Sequence, residues 1–348
     1  MGQGSPAAVS TRVAHGRVPG EQPAVSVIIP VRRINGYVRE SLSHLLAHDY
    51  AALEVIILPD CTTEDDGVGT SSRVRIVPTG AVGPAEKRDR GASLATGEIL
   101  AFLDDDAYPH PDWLAKAIPH FLAKDVAAVG GPAVTPPDDP FWQQASGWAL
   151  STRLGSGGAL MRYLPVGTPR DVDDWPTVNL LVRKTDFEAV GGFNCHYYPG
   201  EDTKLCLDLT RRLGKRIIYE PGAIVYHHRR DLFWGHFRQI GRYAEHRGYF
   251  VKAFPATSRR PLYFLPTALV AGLVGGALGA LAPWRAPRTA YALALGAYGA
   301  ALGITCLELV RQTRRPVLAA AATLGVALTH VVYGVLFVKG LLSRELVR

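Results

Sequence analysis

Short apolar runs alternate with helical patterns over the N-terminal third of the chain. Three runs, at Val25–Pro30, 54–58 and Ile99–Leu103, are almost continuously apolar, which is typical of strands buried on both faces of a parallel sheet. Between the first two, Val38, Leu42 and Leu45 follow helical spacing and predict a helix over Gly36–Ala47. A strand, a helix and a strand in this order predict a right-handed βαβ unit and therefore a parallel sheet.

The same patterns continue as far as residue 226. Pro84 suits a first helical turn, and Leu205, Leu209 and Leu213 form one stripe of a later helix. We expect an α/β fold with a mostly parallel, Rossmann-like sheet. The further predicted elements are strands at 74–77, 177–183, 217–219 and 223–226 and helices at 84–95 and 203–213.

Carboxylates follow two of the predicted strands. Asp104, Asp105 and Asp106 come directly after Ile99–Leu103, and Asp60 follows the strand at 54–58. Open α/β sheets bind ligands beyond the carboxyl ends of their strands, and clustered carboxylates suit Mg²⁺ or Mn²⁺. The three consecutive acids indicate either a metal site or a solvated acidic turn.

Basic residues crowd the predicted helix at 84–95. Lys87, Arg88 and Arg90 lie within four positions of one another. They could hold a diphosphate group, or they could form the solvated face of a surface helix.

Three long segments near the C-terminus carry no Asp, Glu, Lys or Arg. They lie between Arg260 and Arg285, between Arg288 and Glu308, and between Arg315 and Lys339. Each is about twenty residues or more, which is enough to cross a bilayer. Residues 255–348 carry a net charge of +8, while the whole chain carries +7. Because the positive charge flanks apolar segments, it indicates a membrane partner and no nucleic acid.

The remaining composition says little about chemistry. Residues 1–24 lack the apolar core of a signal peptide and predict a flexible N-terminal tail. The four cysteines lie far apart without CxxC spacing, so neither a zinc site nor a disulfide framework is indicated. A reduced, cytosolic setting fits this pattern.

Several motifs in order carry a resemblance. VSVIIP, RDRGASLATGE and FLDDDAYPHPDWL resemble the family 2 nucleotide-sugar glycosyltransferases with the type A fold, over about residues 25–243. With the C-terminal transmembrane helices, the chain is similar to bacterial exopolysaccharide glycosyltransferases. Two positions depart from the pattern: Pro59-Asp60-Cys61 replaces an acid-acid-glycine-serine turn, and Asp89 stands where asparagine is frequent.

The resemblance implies a nucleotide-sugar donor and a divalent cofactor, Mn²⁺ or Mg²⁺. Asp106 is the expected metal ligand, and His227 is preferred to His228 as an additional one, although a histidine pair could also be a surface feature. The residues expected to contact the donor are Pro30, Asp60, Arg88, Asp104 and Asp105.

An acidic pair begins the predicted helix at 203–213. Glu201 and Asp202 could simply complement the helix dipole. Transfer to a sugar hydroxyl, however, needs a base, because a hydroxyl is a poor nucleophile at neutral pH. In the family this role belongs to the aspartate of an ED pair, which implies Asp202 as the base and Glu201 as the fallback.

Two segments are expected to lie near the acceptor. Residues 130–175 are rich in proline, glycine and aromatic side chains and form either an acceptor-facing lid or a partly ordered excursion. Residues 231–254 alternate aromatic and basic residues, which is typical of a helix in a membrane interface. Within the latter, Gln239, Arg242 and Tyr243 resemble the QxxRW motif of polysaccharide synthases, with tyrosine for tryptophan, and imply contacts to the acceptor and the donor diphosphate.

The sequence thus predicts a tail at 1–24, a cytosolic glycosyltransferase domain at 25–230, interfacial helices at 231–260 and three transmembrane helices at 261–348. With the catalytic domain in the cytosol, the C-terminus is expected outside a bacterial-type inner (plasma) membrane. The leading hypothesis is an inverting enzyme that transfers a sugar to a hydroxyl of a lipid-linked or growing glycan. The alternatives are a polyprenyl-phosphate glycosyltransferase and a membrane-tethered nucleotide-sugar binding protein without turnover.

Overall fold

The computed structural model describes residues 22–61, 71–195, 197–281 and 283–346. Of the predicted tail at 1–24, residues 1–21 lie outside the described residues.

An eight-stranded sheet forms the centre of the N-terminal domain. Its strands run in the order β3-β2-β1-β4-β9-β6-β10-β8, and β9 and β8 are antiparallel to the other six, so the predicted mostly parallel sheet is confirmed. A second sheet contains β5, β11 and β7. The strands are β1 (Val25–Pro30), β2 (Leu53–Leu58), β3 (Val74–Ile76), β4 (Ile99–Leu103), β5 (Ala107–Pro109), β6 (Val126–Gly130), β7 (Ala133–Val134), β8 (Arg170–Val172), β9 (Asn179–Arg183), β10 (Arg216–Tyr219) and β11 (Val225–His227).

Helices cover both faces of the large sheet. Along β1, Val27 and Ile29 pack into one apolar core and Ile28 packs into the other, which explains why the central strands are apolar at every position. The helices of this domain are α1 (Gly36–Ala47), α2 (Pro84–Leu94), α3 (Trp113–Ala117), α4 (Phe141–Leu150), α5 (Arg153–Ser156), α6 (Lys184–Val190) and α7 (Glu201–Leu207).

The structure corrects two details of the predicted elements. The helix expected at 203–213 begins at Glu201, so that the acidic pair lies inside its first turn, and it continues as a π-helix over Asp208–Arg212. The last strand, expected at 223–226, is Val225–His227 and therefore includes the candidate metal ligand His227.

The segment at 130–175 is ordered, so the alternative of a partly ordered excursion is wrong. It contains β7, α4, α5, a 3-10 turn at Gly157–Arg162 and β8. Ala145, Ala149 and Leu150 of α4 are buried, and Ala145 packs with Leu318 near the C-terminus of the chain. The glycine and proline content reflects short elements joined by tight connections.

The C-terminal third is helical. It comprises α8 (Trp234–Ala253), α9 (Pro255–Ser258), α10 (Pro261–Ala280), α11 (Arg285–Thr313) and α12 (Pro316–Leu342). The last three are long and apolar enough to cross a membrane, as the sequence predicts. The interfacial segment expected at 231–254 is mainly the single helix α8, and α12 packs along it.

Candidate active site

The three consecutive aspartates lie beyond the carboxyl end of β4. His227, at the end of β11, approaches them, and its Nε2 is 3.1 Å from Asp106 Oδ1. Arg230 lies 3.4 Å from the other oxygen of Asp106. Burial alone would raise the pKa of Asp106, but His227 and Arg230 outweigh it and lower this pKa. The carboxylate of Asp106 is therefore ionised and surrounded by groups that favour its charge.

These side chains can form a metal site. Asp104, Asp106 and His227 each offer a ligand atom, and the three atoms lie within 4.8 Å of one another. Two carboxylates and one imidazole suit Mn²⁺, and the carboxylates also suit Mg²⁺. Asp104, which the sequence predicted to contact the donor, thus lies beside Asp106 and His227, the two predicted metal ligands. Asp105 lies next to them; burial and the charges of Asp106 and Asp104 raise its pKa to about 7.

His228 has a different environment from His227. Its Nδ1 lies 2.5 Å from Asp139 Oδ1, and its Nε2 lies 2.9 Å from Glu40 Oε2. Burial lowers the pKa of His228, but these two carboxylates raise it by more. A cationic His228 between two acids joins α1 to the loop before α4, so the geometry favours His227 as the ligand.

Arg88 of α2 connects the aspartate cluster to the acidic pair. Its Nη1 donates to Glu201 Oε1 at 2.8 Å, and its Nη2 donates to Asp104 Oδ1 at 2.7 Å. Glu201 is buried, and its Oε2 has no hydrogen-bond partner among the described residues. Burial raises the pKa of Glu201, while Arg88 opposes that rise. The carboxylate of Glu201 is therefore engaged with an arginine and poorly placed to accept an acceptor proton.

Asp202 is the less buried residue of the pair. Its Oδ1 accepts a hydrogen bond from its neighbour's backbone, Thr203 N, at 2.7 Å. Burial, Glu201 and Asp174 raise the pKa of Asp202 to about 7. Gly200, with φ of +115°, makes the turn into α7, and a Cβ there would lie 2.4 Å from Phe250 Cε2. The turn places a carboxyl group with near-neutral proton affinity at the site, as a general base requires.

The donor residues expected near β1 and β2 are held by a lysine. Lys87 Nζ lies 2.5 Å from Asp60 Oδ1 and also donates to the backbone oxygens of Val31 and Leu58. Pro30 pairs with Leu58 at the same edge. Lys87 is therefore a buried support for Asp60. Among the three clustered cations, Arg88 faces the aspartates, whereas Arg90 bonds to Thr79 and Glu86 on the surface.

Helix α8 carries the three residues that resemble the QxxRW motif, Gln239, Arg242 and Tyr243. Gln239 Nε2 donates to Tyr243 Oη at 3.1 Å. Burial, Tyr163, Asp104 and Asp202 raise the pKa of Tyr243, yet 43% of its surface stays exposed. Arg242 is exposed beside it. Tyr243 thus lies within the electrostatic reach of both carboxylates, in a position open to a ligand.

Sequence reasoning missed the buried cations and acids behind the site. Arg229 donates to His227 Nδ1 at 2.8 Å, and its guanidinium lies 5.2 Å from the centre of the Tyr163 ring. The run His227-His228-Arg229-Arg230 was a signal for the first of these contacts, because all four residues follow one strand end.

Asp174 is a second missed residue. It accepts from Thr203 Oγ1 at 3.1 Å and from Arg247 Nη2 at 3.1 Å, and it lies 3.3 Å from Arg162 Nη2. Burial would raise the pKa of Asp174, but Arg247 and Arg162 lower it to about 2. Asp174 therefore joins α8 to the residue after Asp202. The sequence offered only the three acids of the stretch 171–174 as a signal, without marking Asp174 among them.

Known glycosyltransferases are similar in sequence to this chain. Residues 26–175 match the family model "Glycosyl transferase family 2". The pre-mycofactocin glycosyltransferase of Mycobacterium tuberculosis is 33% identical over 228 residues, which cover 63% of this chain and 46% of that protein. The glucosyl-dolichyl phosphate glucuronosyltransferase of Haloferax volcanii is 26% identical over 241 residues, covering 62% of this chain and 74% of that protein. The chain thus spans about half the length of its mycobacterial relative.

Among solved structures, the mannosyltransferase PcManGT from Pyrobaculum calidifontis, in complex with GDP-Man and Mn2+, resembles this chain with a TM-score of 0.59 and 21% identity. The match covers 97% of this chain and 92% of that one. The fold is therefore that of the type A glycosyltransferases. Residues 26–175 form a family 2 glycosyltransferase domain, and the resemblance drawn from the motifs is confirmed.

Proposed function

We propose that the protein is an inverting, metal-dependent glycosyltransferase that moves a sugar from a nucleotide-diphosphate donor to a hydroxyl of a lipid-linked or growing glycan. The observation that carries this proposal is the grouping of Asp104, Asp106 and His227 within 4.8 Å, which Arg88 connects through Glu201 to Asp202, whose pKa is about 7. A binding protein without turnover has no use for such a base.

The charges and positions of three expected donor residues support donor binding at the acidic edge of the sheet. Pro30 ends β1, Asp60 follows β2, and Arg88 binds Asp104 at the edge of the same sheet. The solved mannosyltransferase of the same fold carries GDP-Man and Mn2+. We infer by analogy that this chain takes a nucleotide sugar at its own acidic edge.

The metal would be held by Asp104, Asp106 and His227, as Mn²⁺ or Mg²⁺. When bound, it supplies a Lewis acid that neutralises charge on the departing nucleoside diphosphate. Without the metal, Arg229 faces Nδ1 of His227 and the Nε2–H of the imidazole faces Asp106; ligation through Nε2 would require that proton to leave. Arg230 adds positive charge beside Asp106.

The chemical step assigned to this chain's own residues is a proton transfer. Asp202 takes the proton of the acceptor hydroxyl while that oxygen forms its bond to the anomeric carbon and the bond to the diphosphate oxygen breaks. One displacement inverts the anomeric configuration. Glu201 is the weaker candidate for this role, because Arg88 already binds one of its oxygens and the other is buried.

The acceptor is proposed to be lipid-linked and to reach the site near Tyr243, Gln239 and Arg242 of α8. The chain carries three helices apolar enough to cross a membrane, and the name of the Haloferax volcanii relative includes a glucosyl-dolichyl phosphate. We place the protein in a bacterial-type plasma membrane with its catalytic domain in the cytosol.

The test is a panel of nucleotide sugars offered to the full-length protein in lipid, with release of nucleoside diphosphate as the signal. One donor should give release that depends on an added glycan acceptor and on Mn²⁺ or Mg²⁺. Asp202→Asn should lower the rate by a factor of about 10² to 10⁴, which is the usual contribution of a positioned acid-base group. Glu188→Gln, an exposed acid of α6, is the matched control and should keep the rate.

Two results would overturn the proposal. Undiminished release in excess chelator would remove the metal from the mechanism. A near-wild-type rate of Asp202→Asn with polyprenyl phosphate, an acceptor that is already anionic, would instead support the alternative of a polyprenyl-phosphate glycosyltransferase.

A further inference from the structure

The connection from α6 to the acidic pair of α7 begins in the core of the domain. Phe193 is fully buried, and its backbone N–H donates to Asp89 Oδ1 of α2 at 2.9 Å. The guanidinium of Arg88, also on α2, lies 5.7 Å from the centre of the Phe193 ring. The start of the connection is therefore fixed to the helix that carries Arg88.

The end of the same connection is fixed to α8. The ring of Tyr197 lies 5.1 Å from that of Phe250 and 5.5 Å from that of Phe254. Gly200 touches the same cluster, since a Cβ there would lie 2.4 Å from Phe250 Cε2. Tyr197 and Gly200 therefore hold the backbone on both sides of Tyr198.

Tyr198 is exposed, unlike the residues that anchor the connection. Its side chain lies between two fixed positions, yet the residue is 56% exposed. Tyr198 comes three residues before Glu201, so the two Cα atoms are at most about 11 Å apart. A large aromatic side chain is thus held beside the acidic pair with much of its surface free.

The charges of the candidate active site surround the Tyr198 hydroxyl. Burial raises the pKa of Tyr198, and the acids Asp104, Glu201 and Asp105 raise it further, while Arg88 lowers it. Because such interactions weaken with distance, Tyr198 lies near the bonds that join Arg88 to Asp104 and Glu201. Burial and exposure act on the same ring because it lines a concave part of the surface.

The proposed reaction requires a sugar in the space beside Tyr198. In a single displacement, the anomeric carbon lies between the departing diphosphate oxygen and the incoming acceptor oxygen. Asp104 and Asp106, proposed to hold the metal, mark the diphosphate side, and the proposed base Asp202 marks the acceptor side. Tyr198 lies near Asp104 and four residues before Asp202, so it borders the space between the two sides.

We infer that the ring of Tyr198 packs against the sugar that is transferred and so contributes to the choice of donor. A pyranose presents C–H groups on the faces of its ring and hydroxyl groups around its edge. The face of the Tyr198 ring suits the former, and the phenol hydroxyl can exchange hydrogen bonds with the latter. The role rests on the proposed function, because it assigns a contact to the donor of that reaction.

The fixed backbone makes such a contact effective. Tyr197 and Gly200 already restrain the chain on either side of Tyr198, so little backbone freedom remains to be lost when the sugar binds. A tyrosine has only two side-chain torsion angles, so ordering its ring costs little entropy as well. Most of the contact energy therefore remains available to distinguish one donor from another.

The test compares the binding of two ligands to the full-length protein in detergent, with Mn²⁺ and without acceptor. The ligands are the nucleotide sugar that the donor panel identifies and the nucleoside diphosphate that it releases. Calorimetry gives both Kd values for the wild type and for each variant. Tyr198→Ala should raise the Kd of the nucleotide sugar about tenfold, the size of one lost apolar contact. It should leave the Kd of the nucleoside diphosphate unchanged.

Two further variants complete the comparison. Tyr198→Phe keeps the ring and should bind the nucleotide sugar nearly as well as the wild type. Leu122→Ala is the matched control, because Leu122 is 80% exposed and precedes β6, at the edge of the sheet opposite to the site. Thermal unfolding checks each variant, and exposed positions should tolerate these changes. If Tyr198→Ala unfolds early, Tyr198→Leu takes its place.

The outcomes separate this inference from the proposed function. An unchanged Kd of the nucleotide sugar in Tyr198→Ala would overturn the inference alone. Equal weakening of both ligands would assign the ring to the diphosphate, and normal donor binding with a raised acceptor KM would assign it to the acceptor; either result would overturn the inference. A wild-type protein that binds no nucleotide sugar and releases no nucleoside diphosphate would overturn the proposed function, and this inference with it.

Discussion

Arg88 Nη1 and Glu201 Oε1 lie 2.8 Å apart although 113 residues separate them in the chain. The same guanidinium binds Asp104 Oδ1 at 2.7 Å. One arginine of α2 therefore fixes the distance between the proposed metal site after β4 and the proposed base on α7. Because Arg88 and Glu201 are both buried, this link holds its geometry with little help from water.

Removing this link should destabilise the fold strongly. Arg88→Met leaves Glu201 buried without its cation, and loss of one partner from a buried pair costs about 3–5 kcal/mol. Arg90→Met, on the same helix, removes an exposed pair with Glu86 and should cost less than about 1 kcal/mol. The measurement is urea unfolding in mild detergent followed by tryptophan fluorescence. Equal losses in the two variants would contradict the role given to Arg88.

Two adjacent aspartates offer a sharper comparison. Asp174 is 6% exposed and faces Arg162 and Arg247, whereas Asp173 is about half exposed and pairs with Arg260 on the surface. Asp174→Asn should lower the free energy of unfolding by about 3–5 kcal/mol, and Asp173→Asn by about 1 kcal/mol or less. The same urea titration measures both. If Asp174→Asn were as mild as its neighbour, the buried network would not hold α8 to the domain.

The two neighbouring histidines should behave differently. His227→Gln removes an imidazole from the proposed metal site, so the Mn²⁺ concentration for half-maximal activity should rise about 10-fold or more. His228→Gln should leave that concentration unchanged and lower thermal stability instead, because Glu40 and Asp139 lose the cation between them. Metal titration and thermal unfolding of both variants are the measurements. A metal requirement that shifts only in His228→Gln would reverse the assignment.

The sequence predicts the acidic edge of the sheet well, for a physical reason. The apolar runs at β1, β2 and β4 are long enough to be buried strands, and parallel strands bring the residues after them to one edge. Asp60, Asp104, Asp105 and Asp106 follow from this pattern alone. Asp202 does not, because nothing in local spacing joins α7 to β4; only the motif resemblance brought it forward.

Ion pairs between distant parts of the chain cannot be predicted from the pattern of hydrophobic and polar residues. The bonds from Arg88 to Glu201 and from Asp174 to Arg247 join residues more than seventy positions apart, and hydrophobic periodicity says nothing about which ions meet. For α12, the apolar content predicts a helix long enough to span a membrane, but it does not reveal that one face packs against α4 and α8. Gly325, Gly334 and Gly340 on that face were the available signal for close packing.

Packing of α12 on α8 leads to a prediction about two glycines. Gly340→Leu cannot fit, because even its Cβ would lie 1.8 Å from Glu245 O, so α12 should separate from α8 at its C-terminal end. Gly275→Leu on α10 meets nothing within 4 Å and should be tolerated. We expect thermal unfolding in detergent to fall clearly for the first variant and little for the second. A tolerated Gly340→Leu would show that the two helices are not in contact there.

The last prediction concerns the pH dependence given by Asp202. Burial, Glu201 and Asp174 raise the pKa of Asp202 from 3.8 to about 7, so the carboxyl is mostly protonated at pH 6 and mostly ionised at pH 8. Only the ionised form can accept the acceptor's proton. The value of kcat/KM should therefore rise about tenfold per pH unit below 7 and level off above it, since this ratio reports the free enzyme. Asp202→Asn should give a low rate without this rise.

Linkage gives the same group a second, independent signature. The folded protein holds the Asp202 proton up to about pH 7, while the unfolded chain releases it near 3.8. Between these values the folded state binds more protons, so the contribution of Asp202 to the free energy of unfolding falls as pH rises from about 4 to about 7. Asp202→Asn should remove that part of the slope in urea titrations across this range. A kcat/KM profile that stays flat through pH 7 in the wild type, with an unchanged stability slope in the variant, would exclude Asp202 as the base and direct the search to Glu201→Gln.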